Sequence, residues 1–174
     1  MKKEETQALF SDAQAVFEPI SGQPSDADLT RLRDTIASIL YPILYNEELE
    51  VHNLVGVILT TAEYTTKYGV TFPTPKRPEI YNATITKDTV PFERTKKEIT
   101  WKVKRADYDV YDTAIRCARN FIIAVVEDTW IRKLRDPISR YNDASPRAIM
   151  LHLTTTCVGI HALDVLTLQN AMQK

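Results

Sequence analysis

Glycine is scarce in this sequence. The four glycines, Gly22, Gly56, Gly69 and Gly159, stand far from one another. A phosphate-cradling loop needs several of them at short fixed offsets, so neither a P-loop nor a dinucleotide-binding fingerprint is present. Cysteine is scarcer still: Cys117 and Cys157 cannot build a disulfide framework or a four-cysteine zinc site. They suit a reducing compartment, where a buried thiol behaves as a small apolar side chain. The longest apolar runs, Leu54 to Leu59 and Phe121 to Val126, fall far short of the roughly 20 residues a membrane span needs. No sign of charge dominates, with 22 basic residues against 23 acidic ones, so only a local patch could attract nucleic acid. Met1-Lys2-Lys3-Glu4-Glu5 carries no apolar signal core. The expectation is a cytoplasmic protein with no membrane partner.

What the sequence has in quantity is helical periodicity interrupted by nine prolines. Leu9, Ala13, Val16 and Phe17 share one face of a short lead helix that ends at Pro19 and Ser21-Gly22-Gln23-Pro24. Ser25 and Asp28 have the chemistry of a capping box, and Leu29, Leu32, Ile36, Ile39 and Leu40 follow at helical spacing up to Pro42. Asn46 is placed to cap a second helix reaching Tyr68, with Leu54, Val55, Ile58, Leu59 and Ala62 inward and Gly69 as its stop. Gly56 then falls in mid-helix, where it predicts the close approach of a neighbouring helix.

From Val70 to Pro91 the prolines Pro73, Pro75, Pro78 and Pro91 exclude helix and predict an extended arm, with room for a small hairpin. The longest helix runs from about Phe92 to Val126 on a stripe of Ile99, Val103, Tyr108, Tyr111, Ile115, Ala118 and Ile122. A helical segment spans Asp128 to Leu134. Ser145-Pro146 restarts helix, which Ile149, Leu151, Leu153 and Val158 carry to Gly159, and a last helix runs from Ala162 to Met172. The fold class is all-α: about six helices with a proline-rich arm.

Few residue groups carry chemistry. His152, Cys157 and His161 come closest to a metal set, but Gly159 stands between Cys157 and His161, and that pair lacks a third and fourth ligand nearby. Cys117, between Arg116 and Arg119 on a helix whose apolar face includes Ala114 and Ala118, reads as structural. Glu47-Glu48, Asp107-Asp109 and Glu127-Asp128 diverge around a helix and do not converge on a cleft. The expectation is therefore no catalytic, cofactor or metal residue, no cofactor and no small-molecule substrate. Between Arg94 and Arg105, by contrast, Arg94, Lys96, Lys97, Lys102, Lys104 and Arg105 face Glu98 alone, with Trp101 among them. Such a cluster can contact RNA phosphates while the indole stacks on a base. The competing reading is a solvated helix start with Trp101 anchored in the core. Leu163, Leu166, Leu168 and Met172 form an apolar face at the end of the chain that either completes the core or meets another chain.

Two stretches carry a likeness. One is Glu50-Val51-His52-Asn53-Leu54-Val55-Gly56, preceded by Tyr41-Pro42-Ile43. The other runs from Trp101 through Ala114, Ile115, Ile122 and Trp130 to Ser145-Pro146-Arg147-Ala148-Ile149-Met150-Leu151-His152-Leu153. In these the chain resembles the Gag-like capsid proteins of copia-type LTR retrotransposons, over roughly residues 28–172. It departs from them in lacking a Cys-x2-Cys-x4-His-x4-Cys zinc knuckle and any protease, integrase or polymerase signature. The resemblance implies a retroviral-capsid-like arrangement: a lead segment over 1–24, an N-terminal helical domain over 25–136 including the arm 70–91, and the start of a C-terminal domain over 137–174. It implies a non-enzymatic protein whose partner is itself, assembling into a lattice or particle, with RNA as a second partner. The alternative is a helical adaptor module that presents the arm to another protein and does not self-assemble.

Overall fold

Breakers and caps divide the chain where the side chains that favour helix give way to those that terminate it. The computed structural model describes residues 3–47, 50–79 and 91–158. Helix α1 (Lys3–Val16) leads to α2 (Asp26–Leu40), which opens on a complete capping box: the Ser25 hydroxyl accepts from the Asp28 amide, and the Asp28 carboxylate accepts from the Ser25 amide. A hairpin follows, β1 (Leu44–Glu47) antiparallel to β2 (Glu50–Asn53), with Leu44 opposite Asn53 and Tyr45 opposite His52. A 3-10 turn over Leu54–Val57 precedes α3 (Thr61–Tyr68). After the extended stretch 71–79 comes the long α4 (Pro91–Val125). Then α5 (Asp128–Ile131) runs into a 3-10 turn, and α6 (Pro146–Leu153), started by Ser145 and Pro146, ends in a π-helical turn over Thr154–Val158.

The expected all-α architecture of about six helices with an extended arm is what is found, with a small hairpin added. The continuous helix expected from Asn46 to Tyr68 is not. Leu54, Val55, Val57 and Ile58 are all buried in succession, while Ala62 is exposed. A short segment enclosed on every side has no periodic face, so its run of apolar residues fitted a helical template by coincidence. The local chemistry favours two separate starts. Asn53 caps the 3-10 turn by accepting from the Val55 amide, and Thr60 with Glu63 forms a second capping box for α3. Gly69 does stop this helix, in the left-handed conformation at φ 75°.

One core holds the described elements together. The C-terminal half of α4 is its axis, with Ala114, Ala118, Phe121, Ile122 and Val125 buried. Against it lie Leu29, Leu32, Ile36 and Leu40 of α2 and Ile149 and Leu153 of α6. Complete burial of each such leucine or isoleucine contributes about 1.5–3 kcal/mol. The lead helix α1 belongs to this core as well. Its inward face is Thr6, Phe10, Ala13 and Phe17; Leu9 and Val16, expected inward, are exposed. Phe10 and Phe17 meet Phe121 edge-on at 6.2 and 5.3 Å, and the Ile20 amide donates to the Val125 carbonyl at 2.8 Å. Thus α1 and α4 run parallel. Leu151 of α6 is exposed.

The arm is anchored by Phe72. Its ring lies among Tyr45, Tyr64 and Tyr111, with centroids 6.2, 5.1 and 6.4 Å away, over Gly56. A β-carbon at Gly56 would sit 2.1 Å from that ring. The close approach expected at Gly56 is therefore real, but it comes from the arm's Phe72 and not from a helix. The Tyr45 hydroxyl donates to the Pro73 carbonyl and fixes the next residue of the arm. The hairpin foreseen within the arm, between Glu79 and Val90, lies outside the described residues except at Glu79.

Candidate functional site

The N-terminal half of α4 extends beyond the core. Thr113 is the first fully buried residue along it among those described, and before it the helix exposes Phe92, Ile99 and Val103 at 75, 57 and 49%. Ile99 and Val103 were expected inward. They continue the stripe that buries Ala114 and Phe121 further along, but they themselves stay exposed. A periodic face records which side of a helix is apolar, not how far the body beneath it reaches.

The six basic residues sort into two groups. Lys102 pairs with Glu98 at 2.7 Å and Arg105 with Asp109 at 3.1 Å, both at i,i+4 spacing. The hydrogen bond from Lys102, helped by its charge, holds the Glu98 carboxyl below the usual range, with Arg94 adding to the effect. Arg94, Lys96, Lys97 and Lys104 are exposed and form no salt bridge among the described residues. The three lysines, with Phe92, Glu93, Thr100 and Trp101, line a shallow open groove of about 810 Å³ along one side of the helix. Hence four of the six cations form no salt bridge among the described residues, and three of them, Lys96, Lys97 and Lys104, share the groove with the Glu93 carboxylate.

Trp101 is not anchored in the core. It is half-exposed, and its indole N–H donates to the Glu79 carbonyl at 2.7 Å. The arm thus crosses the helix, and Arg77, Pro78 and Glu79 form a second cleft with Trp101 and Arg105. The indole stands between the two clefts, tethered by its nitrogen.

The remaining candidates have structural duties. Cys117 is half-buried, and burial pushes its thiol pKa up against a smaller opposite effect of Arg116. Burial raises the Cys157 thiol too. Glu127 accepts from the Gly22 amide at 2.7 Å, and Asp128 accepts from the Tyr141 hydroxyl at 2.5 Å. Burial first, and that bond second, push the Tyr141 phenol up to about 12. No group of three His, Cys, Asp or Glu side chains suited to a metal occurs among the described residues. His161, Glu48 and the terminal face Leu163, Leu166, Leu168 and Met172 lie outside the described residues.

One functional-looking group is absent from the sequence reading. Arg119 is only 6% exposed, and its guanidinium donates to the carbonyls of Asn142 and Ala144. Burial lowers its pKa, with Arg116 acting in the same direction. It holds the loop before α6 against α4. Its flanks, Ala118 and Asn120, gave no signal that the loop would cross there. A small cavity of about 160 Å³ lies under the arm beside Phe72, Tyr111 and Arg147, whose guanidinium donates to the Gly56 carbonyl.

No protein-family model matches the chain, and no curated protein or solved structure matches it either. No helix among the described residues is long and apolar enough to cross a membrane.

Proposed function

We propose that this protein is a structural subunit of the Gag-type capsid kind, which associates with copies of itself into a lattice or particle in the cytoplasm and binds RNA along the projecting half of α4. The class comes from the sequence resemblance, and the projection supplies the means. The observation that carries the RNA assignment is the groove of Lys96, Lys97, Thr100, Trp101 and Lys104. Three ammonium groups against the single carboxylate of Glu93 on one side of a helix can follow a phosphate backbone, with an aromatic face beside them for a base. No described constellation of nucleophile, base and orienting group competes with this reading. The adaptor alternative is less well served. The arm residues it would present are engaged internally, through Phe72, the Pro73 carbonyl and the Glu79 carbonyl.

The test is binding of single-stranded RNA at several salt concentrations. With Lys96, Lys97 and Lys104 all changed to Glu, affinity should fall and the slope of log K against log salt should shrink by about 2, the release expected from three phosphate contacts on a single strand. An unchanged slope in the triple variant would remove RNA from the proposal. Self-association is checked separately, by sedimentation of the unaltered chain at rising concentration; a strict monomer at millimolar concentration would overturn the capsid reading.

A further inference from the structure

The arm carries a hydroxyl in a setting that suits modification. Two hydroxyl residues in the sequence stand directly before a proline, Thr74 and Ser145. Proline-directed protein kinases bind their substrate extended and accept such a residue, because the proline that follows has no N–H to leave unpaired. A basic side chain three positions after the acceptor strengthens that docking. Arg77 holds this position for Thr74, whereas Ala148 holds it for Ser145. Ser145 is also committed elsewhere: its hydroxyl caps α6 by accepting from the Ala148 amide at 3.1 Å. Thr74 is exposed, in a stretch without helix or strand.

A receptor for the product stands beside it. The Thr74 side chain is hydrogen-bonded to Tyr111, and both line the cavity of about 160 Å³ that Arg147 also lines. That space is several times what one water needs. Arg147 uses two of its five N–H donors, toward the Gly56 carbonyl and, at 3.4 Å, the Thr61 hydroxyl. It forms no salt bridge among the described residues. Glu63, which feels its charge, and Asp112, which acts on Tyr111, are bound instead to Arg33 and Arg116, each at 3.1 Å. Burial pushes the Tyr111 phenol up, so it stays an O–H donor. The start of α6, where a helix favours an anion, forms part of the same wall.

We propose that Thr74 is the phosphate acceptor of a proline-directed protein kinase, and that Arg147 and Tyr111 receive the phosphate and lock the arm onto the body. In the transfer, Thr74 Oγ1 bonds to the γ-phosphorus of ATP as the bond to the β-phosphate oxygen breaks. ADP leaves, and the hydroxyl proton passes to the kinase's catalytic aspartate. Phe72 and Pro75 are buried, so the kinase acts on the arm while it is lifted, a local opening that no ladder of backbone bonds opposes. When the arm closes again, a phosphate of about −1.5 to −2 charge meets a guanidinium that has no carboxylate partner. The same arm holds the Trp101 indole through the Glu79 carbonyl, so the lock steadies that side chain too. Neither step depends on self-association or on RNA.

The experiment incubates the full chain with ATP and a proline-directed kinase and maps the product by mass spectrometry, with circular dichroism to confirm that each variant is folded. One phosphate is expected on Thr74 and none in Thr74→Val. Phe72→Ala, whose arm lifts more readily, should be labelled about tenfold faster. In the phosphorylated chain the arm's amides should exchange with deuterium about tenfold more slowly, and the phosphorus resonance should titrate below its ordinary pKa of about 6. Arg147→Gln, which keeps a donor for the Gly56 carbonyl, should be labelled normally and lose both effects. Labelling at Ser145 in place of Thr74, or no labelling of either the unaltered chain or Phe72→Ala, would overturn the proposal. So would a phosphorylated arm with unchanged exchange and an ordinary phosphate titration. Equal protection of the unmodified arm by millimolar inorganic phosphate would make the cavity a site for a free anion and overturn it as well.

Discussion

Single residues decide more here than their chemistry alone suggests. Gly56 is the clearest case, because its conformation demands nothing special and only the ring of Phe72 excludes a side chain. Gly56→Ala should therefore destabilise the protein by about 1–3 kcal/mol through overpacking. Phe72→Leu should be mildly destabilising alone but should recover part of the loss when combined with Gly56→Ala. Chemical denaturation of the four proteins checks this, and additive effects would show that the two positions do not touch. Arg119 shows the converse. A charged residue is retained in the core because two backbone carbonyls of the loop before α6 need a donor there. Neither fact is visible at the residue itself: each depends on a segment distant in sequence arriving at that point.

At the scale of elements, the start signals are local and were legible. Ser25-Asp28 and Ser145-Pro146 open helices as their sequence indicates, and Gly69 closes one. Thr60 and Glu63 fall inside an apolar run that reads as one unbroken helix, and that continuity hides their capping box. Thr60→Ala should cost about 1 kcal/mol in thermal or denaturant unfolding, as should Ser25→Ala. The same caps make stability depend on pH. The Ser25 hydroxyl and amide hold the Asp28 carboxyl below its ordinary value of 3.8, and the Thr60 amide holds the Glu63 carboxyl below its ordinary 4.5. A carboxylate whose folded pKa is depressed stabilises fully above its unfolded pKa and loses that contribution as pH falls through the folded one. Unfolding midpoints should thus begin to drop as pH falls below about 4.5 and continue downward. The drop should be smaller in the doubly altered Asp28→Asn, Glu63→Gln protein; an equal drop would place the acid sensitivity elsewhere. The hairpin, by contrast, escaped a reading by period, since four-residue strands are shorter than the window that tells strand from helix.

For the molecule as a whole, the division of α4 is the main result. One 35-residue helix serves two purposes: its C-terminal half is the axis of the core, and its N-terminal half projects. Local stability should follow that division. Amides between Thr95 and Ala106 should exchange with deuterium about tenfold or more faster than those between Thr113 and Val125, because few apolar contacts resist their opening. Uniform protection along the helix would mean that the projecting half is covered in solution. Addition of RNA should slow exchange in the projecting half alone if the proposed RNA contact is made.

The sequence alone determined the helical class, most helix starts, the extended arm and the identity of the basic cluster. Capping, proline and apolar spacing act over a few residues, and those interactions are encoded where they occur. Tertiary structure decided how far the body reaches along α4, which cations of the cluster are held in salt bridges, that Trp101 is tethered by the arm, and that Phe72 fills the space left by Gly56. Burial and pairing are properties of what lies opposite a residue, and the chain brings those opposites together from positions tens of residues apart.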